Sequence, residues 1–215
     1  MTPELIIFDC DGVLVDSEVL AVDIDRQVFA EYGWDLTRDE VIERFLGTPM
    51  RTMQEQLEAR LGRSLGEEWL DALEARYAQV FEKELVAVPG VIDLLEQLDT
   101  PRCVASSGTH QRIRHSLKLC NMSTYFEDEH IFSAQDVRRG KPAPDLFLHA
   151  ASAMGAAPQQ CVVIEDSAHG VSAARAAGMR VLGYAGGVTP ARTLQDAGAQ
   201  VFESMAQVPG LLAAS

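Results

Sequence analysis

Positive charge is scarce in this chain. Its 215 residues carry 18 Lys+Arg against 32 Asp+Glu, a formal charge of −14 with a pI near 4.7. Only three of the cations are lysines, Lys83, Lys118 and Lys141. Nucleic acid and anionic membrane surfaces are held by clustered positive charge, so neither is expected as a partner. Long apolar runs are also missing. None approaches the ~18 residues of a membrane span, and the opening Met1-Thr2-Pro3-Glu4 lacks the basic n-region of a secretory signal. A cytoplasmic protein is expected. Cysteine is sparse: Cys10, Cys103, Cys120 and Cys161 are widely spaced with no C-x-x-C pair. That pattern argues against a disulfide framework or a zinc site and for buried free thiols. Internal repeats and low-complexity tracts are absent as well.

What remains is an ordinary core-forming composition. Apolar residues make up 47% of the chain, and at ~150 residues per domain its length is about 1.4 domains, which fits a core plus one inserted module. Short continuous apolar runs recur at Leu5 to Phe8, Cys103 to Ala105, Cys161 to Ile164 and Val181 to Tyr184, with a weaker one at Val201-Phe202. Runs of this length without alternation predict strands buried on both faces. Between them, apolar residues take helical spacing: Ile92, Leu95 and Leu98; Ile113, Leu117 and Cys120; Phe147, Ala150 and Met154; Val171, Ala174 and Ala177. Gly155 and Gly178 read as C-terminal stops. The alternation predicts an α/β fold, a doubly wound, mostly parallel Rossmann-like core with right-handed crossovers. Residues 16–88 break the rhythm, because they contain no strand-like run and read as about four consecutive helices. The expected division is therefore a core of 1–15 and 89–215 and a helical cap of 16–88, placed as a lid at the sheet's carboxyl edge.

Chemistry-bearing residues gather where the apolar runs end. The first run leads into Asp9-Cys10-Asp11-Gly12. Two carboxylates this close repel and call for a cation or a shared proton, and Gly12 permits a tight turn with backbone N–H groups near an anion. A lone D-x-D is equally an acidic turn after a strand. A second acidic couple, Glu165-Asp166, ends the third run. Four oxygen-rich side chains from two strand ends suit Mg²⁺, a hard ion that also binds phosphate oxygens. The second run ends in Ser106-Ser107-Gly108-Thr109, which offers a hydroxyl and oriented N–H groups at a helix start or is only a helix N-cap. Lys141, within Gly140-Lys141-Pro142-Ala143-Pro144, adds a cation in a loop.

The order Asp-x-Asp, Ser, Lys, Glu-Asp resembles the haloacid dehalogenase superfamily of phosphohydrolases. The resemblance spans nearly the whole chain, and longer strings carry it: F-D-C-D-G-V-L-V-D-S-E at 8–18, G-K-P-A-P-D at 140–145 and I-E-D-S-A-H-G-V-S-A-A-R-A-A-G-M at 164–179. It implies that Asp9 is a nucleophile forming an aspartyl-phosphate and Asp11 the general acid and then base. It further implies that Asp9, the Asp11 carbonyl, Asp166 and Glu165 hold Mg²⁺. Ser106 and Lys141 would bind phosphoryl oxygens, assisted by N–H groups near Ser107, Gly108 and Gly12.

Within that superfamily the cap discriminates. Phosphonatases use a cap lysine near the first motif, whereas the first lysine here is Lys83 near the cap's end. β-Phosphoglucomutases carry a cap histidine where Ala21 aligns, and true dehalogenases lack the second aspartate. A phosphatase remains, similar to the bacterial sugar-phosphate enzymes related to 6-phosphogluconate phosphatase through C-V-A-S-S-G, H-S-L-K-L-C-N-M-S-T-Y-F and F-L-H-A-A-S-A-M-G. Arg139-Gly140-Lys141 departs from those relatives, which have a bulky residue before the lysine. Arg51, in the cap loop Gly47 to Arg51, reads either as a contact for a substrate carboxylate or hydroxyl or as a solvated helix-start arginine. His110 either reaches substrate or caps and faces solvent, and the other four histidines show no metal-ligand spacing. Trp34 and Trp69 read as cap-core anchors. The expected partner is a small phosphorylated metabolite, and the expected state a monomer or weak dimer. The alternatives are a hexose-phosphate mutase and a phospho-receiver signalling module. A receiver, however, is shorter, lacks a cap and places its phosphoacceptor after a middle strand.

Overall fold

The apolar runs assemble into one parallel sheet. The computed structural model describes residues 3–48 and 50–214, so Met1, Thr2 and Pro49 of the expected signal-free start and cap loop lie outside the described residues. The chain divides into two compact units, Met1–Asp16 with Val86–Ser215, and Ser17–Leu85.

In the first unit the elements run β1 (Leu5–Phe8), then after the insertion α5 (Val91–Gln97), β2 (Arg102–Ser106), α6 (His110–Leu119), β3 (Ile131–Ser133), α7 (Asp145–Ala153) and β4 (Cys161–Glu165). They continue with α8 (Ala168–Ala176), β5 (Arg180–Tyr184), α9 (Ala191–Ala197), β6 (Gln200–Phe202) and α10 (Val208–Ala213). The insertion between β1 and α5 supplies α1 (Ser17–Glu31), α2 (Arg38–Phe45), α3 (Met50–Leu61) and α4 (Glu67–Glu84). The sheet order is β3-β2-β1-β4-β5-β6 and every pairing is parallel. The α/β doubly wound core is therefore as expected, with β3 added: Ile131-Phe132-Ser133 is too short and too isolated to stand out as an apolar run.

The continuous runs have the cause inferred for them. All four side chains of β1 and all five of β4 are buried. Leu5, Ile7, Cys103, Ala105 and Val163 join Phe147 and Ala150 of α7 and Val171 and Ala174 of α8 in one apolar cluster. Burial of this kind is worth about 25 cal/mol per Å² of apolar surface and is the main force holding the sheet. The left-handed glycines Gly155 and Gly178, at φ +70 and +75, terminate α7 and α8. The strand order sets the functional geometry. From β1 the chain winds outward through β2 to β3, then returns to β4 on the other side of β1, so the switch point of the sheet lies between β1 and β4. Open α/β sheets bind ligands at that crevice, beyond the carboxyl ends of the strands.

The helical unit has its own core. Phe29, Trp34 and Phe45 form an aromatic triangle, with Phe29 and Phe45 centroids 4.5 Å apart, and the Arg60 guanidinium lies 5.1 Å over the Trp34 ring. Leu57, Trp69, Leu73 and Phe81 are buried. Thr37 and Glu40 close a capping box at the start of α2, satisfying N–H groups the helix itself cannot. Among the described residues no helix is long and apolar enough to cross a membrane. All four cysteines are free and buried, and burial pushes their thiols up, those of Cys120 and Cys161 to about 11.

Candidate active site

The turn after β1 is built around Gly12. Cys10 O accepts from the N–H groups of Leu14 and Val15, and the Gly12 N–H donates to Val15 O at 2.8 Å. The Gly12 N–H thus serves the turn, and its left-handed φ of +78 is one that side-chain-bearing residues rarely adopt. The missing side chain matters as much, because a Cβ there would stand 1.9 Å from Asp166 Oδ2. Glycine lets the carboxylate that follows β4 close over the turn that follows β1.

Asp9 and Lys141 meet across 132 residues: Lys141 Nζ donates to Asp9 Oδ1 at 2.7 Å and to Glu165 Oε1 at 2.6 Å. The Lys141 side chain is 4% exposed and that of Glu165 0%, so both charges are withdrawn from water and depend on this pairing. Lys141 Nζ also lies 4.9 Å from the centroid of Phe147. Burial pushes the Asp9 carboxyl up, to about 7, against the pull of Lys141. Burial works against the charge on Lys141, but Asp9 and Glu165 outweigh it and hold the ammonium above the ordinary lysine range. Oxygens of Asp9, Glu165 and Asp166 all lie within 4.8 Å of one another. This all-carboxylate donor set fits a hard divalent ion such as Mg²⁺.

The structure gathers Asp9, Asp11, Lys141, Glu165 and Asp166 at the switch point and sets Ser106 at the end of neighbouring β2. Ser106 is buried, and its Oγ accepts from Gly108 N at 3.1 Å, which shapes the Ser107-Gly108 turn. Thr109 caps α6 by accepting from Arg112 N.

The two residues with open readings, His110 and Arg51, have partners within the chain. The His110 ring sits 2.8 Å from Asp136 Oδ1 through Nε2, while Asp136 Oδ2 accepts from Ser133 N and Ser133 Oγ donates to Gly108 O at 2.6 Å. His110 is thus a buttress of the turn after β2. Arg51 is bidentate with Glu67 at 2.8 and 2.6 Å, an exposed pair within the helical unit. One residue escaped the sequence reading: Arg112 of α6 donates through Nη2 to Asp11 Oδ1 at 3.1 Å. The sole hint was its place in a basic stretch just after the Ser106 turn.

The sequence pattern of the haloacid dehalogenase-like hydrolases matches residues 6–184. The chain belongs to that family. It is 37% identical over 179 residues to the 6-phosphogluconate phosphatase of Escherichia coli K12, covering 83% of this chain and 80% of that protein. A conserved haloacid dehalogenase-like protein from Agrobacterium tumefaciens superposes with a TM-score of 0.90 at 39% identity, over 98% of each chain. A family hydrolase from Deinococcus radiodurans, solved with phosphate and sodium, gives 0.86 at 32% identity over 99% of this chain and 96% of its own. The chain is accordingly a phosphatase of this family, on the α/β core that its sequence pattern predicts.

Proposed function

We propose that this phosphatase is a Mg²⁺-dependent phosphomonoesterase of the cytoplasm, acting on small sugar or sugar-acid phosphates of the 6-phosphogluconate type. The observation that carries the reading is the buried Lys141 ammonium bonded at once to Asp9 and Glu165, with Asp166 beside them. A nucleophilic carboxylate and a phosphate-binding cation are held in contact by residues far apart in sequence. The similarity to the E. coli 6-phosphogluconate phosphatase supports the substrate class. Buried free thiols are in keeping with a reducing compartment.

Asp9 attacks phosphorus in line and forms an aspartyl-phosphate, which divides one difficult displacement into two easier ones. Asp11 protonates the leaving oxygen and then takes a proton from the attacking water. Lys141 and the Ser106 hydroxyl donate to the non-bridging oxygens, with the Ser107 N–H beside them. Asp9, Asp166 and the Asp11 carbonyl would hold the ion, which when bound supplies positive charge to the phosphoryl oxygens.

Asp9→Asn tests this reading. Mg²⁺-dependent phosphate release should fall by at least about 10³-fold with the fold intact. Substantial residual turnover would remove Asp9 as the nucleophile. A screen of phosphorylated metabolites that includes 6-phosphogluconate tests the substrate class, and equal weak activity on all of them would count against it.

A further inference from the structure

Both oxygens of Glu165 have hydrogen-bond partners. Its Oε1 accepts from Lys141 Nζ at 2.6 Å. Its Oε2 accepts from both the N–H and the hydroxyl of Ser167, each at 2.9 Å. The carboxylate is 0% exposed and lies against Gly170, whose Cβ, if it had one, would stand 1.7 Å from Oε1.

Ser167 uses its hydroxyl twice. As the N-cap of α8 it accepts from Gly170 N at 3.0 Å, and its own O–H donates a hydrogen bond to Glu165 Oε2. Capping requires only the acceptor, so the donated hydrogen bond is a separate use. The bonds form one line: Gly170 N–H to Ser167 Oγ, Ser167 O–H to Glu165, and Lys141 between Glu165 and Asp9. Lys141 sits in a loop, outside any strand or helix. Its ammonium is therefore placed by these partners at its tip.

We propose that Ser167 is a positioning residue: its hydroxyl, fixed by the helix it caps, orients Glu165, and Glu165 in turn holds Lys141 at the nucleophile. Glu165 then serves the site as the anchor of Lys141 and leaves the ion to Asp9, Asp166 and the Asp11 carbonyl. This deepens the phosphatase reading and rests on it.

The test compares Ser167→Gly with Ser167→Thr in the full chain. Glycine and threonine are both tolerated at an N-cap, but only threonine keeps the hydroxyl, and Ser167 is not fully buried, so a methyl has room. With p-nitrophenyl phosphate in Mg²⁺, kcat/KM should fall about tenfold in S167G and stay within about threefold of the parent in S167T. Affinity for inorganic phosphate in Mg²⁺, read by calorimetry, should fall by a similar factor in S167G. Mn²⁺ affinity, read directly by electron paramagnetic resonance, should stay within about twofold. S167G should melt a few degrees below the parent, because a hydrogen bond to a buried charge is lost, and S167T near it; a purely capping role, which glycine largely fulfils, would leave kcat/KM unchanged in both. The proposal is overturned if S167G keeps full kcat/KM or if S167T is as impaired as S167G. It is equally overturned if Mn²⁺ affinity falls in step with phosphate affinity, which would make Glu165 a ligand of the ion. A parent chain that releases no phosphate would sink the phosphatase reading instead, and the phosphate and Mn²⁺ affinities would still decide the role of Ser167.

Discussion

Gly170→Ala sets helix propensity against the site. Gly170 is the third residue of α8, and replacing an interior helical glycine with alanine ordinarily stabilises by about 1 kcal/mol. Here the new Cβ would lie 1.7 Å from Glu165 Oε1, 1.9 Å from its Cδ and 2.4 Å from Oε2. The carboxylate must leave that position, and with it some of the bonds to Ser167 and Lys141. One hydrogen bond to a charged group is worth about 2 kcal/mol, and forcing extra volume into a packed interior costs about 2 kcal/mol more. Set against the propensity gain, the expected net loss is about 3 kcal/mol. For a chain of this length each kcal/mol moves the melting temperature by about 2–4 °C. Thermal unfolding followed by far-UV circular dichroism should therefore show a drop of about 6–12 °C. Phosphate release measured below the transition should fall by about tenfold or more, because Lys141 loses its anchor. A melting temperature equal to or above the parent's, with undiminished turnover, would refute the reasoning. It would mean that the β4 to α8 turn can relax around the methyl group.

Asp25 gives a pH-dependent stability. Burial pushes its carboxyl up to about 6 against the hydrogen bond from Tyr77, so the folded state binds this proton more tightly than the unfolded chain and loses stability as pH rises from about 4 through 6. At neutral pH that is a penalty of roughly 3 kcal/mol. Asp25→Asn, which can still accept from Tyr77, should melt several degrees above the parent at about pH 8 and lose the advantage near pH 4; equal melting at both would contradict the burial argument. Removing divalent cations with EDTA should weaken inorganic phosphate binding by more than about tenfold in a calorimetric titration. Undiminished affinity would mean that Lys141 and the donors around Ser106 suffice.

The sequence exposes those parts of the site that local physics encodes. Strands buried on both faces print themselves as unbroken apolar runs, and Asp9, Ser106 and Glu165 announced themselves by standing where such runs stop. Gly12 was legible as a turn. Its larger contribution, the room it leaves for Asp166, depends on β1 pairing with β4, an adjacency no local pattern records. The same limit explains Arg112 on Asp11, His110 on Asp136 and Arg51 on Glu67: each choice of partner is made by the fold at long range. β3 was missed because an edge strand of three residues has no period to read. Gly170 offered a weak clue, since a glycine inside a helical pattern often marks a close approach of neighbouring groups. What approaches it could be seen only in three dimensions.

The scarcity of positive charge acquires a local meaning at this site. Counted as fully ionised, Asp9, Asp11, Glu165 and Asp166 bring up to four negative charges to one sheet edge, and Lys141 is committed to two of them. Arg112 adds a second cation through its bond to Asp11. Four carboxylates against Lys141 and Arg112 leave two negative charges, and a phosphate monoester arriving as a dianion would be repelled by that balance. One divalent ion brings it to neutrality, and because Lys141 and the carboxylates sit in a region screened from water, each unit of charge acts there with more force than at the surface. Long-range steering cannot replace it, since the chain as a whole is acidic and its field opposes the substrate. On the proposed mechanism, binding and chemistry would depend on the same ion. Mg²⁺ concentration should accordingly appear in KM for phosphate esters as well as in kcat, with the buried lysine and the half-exposed arginine supplying only what the ion leaves unbalanced.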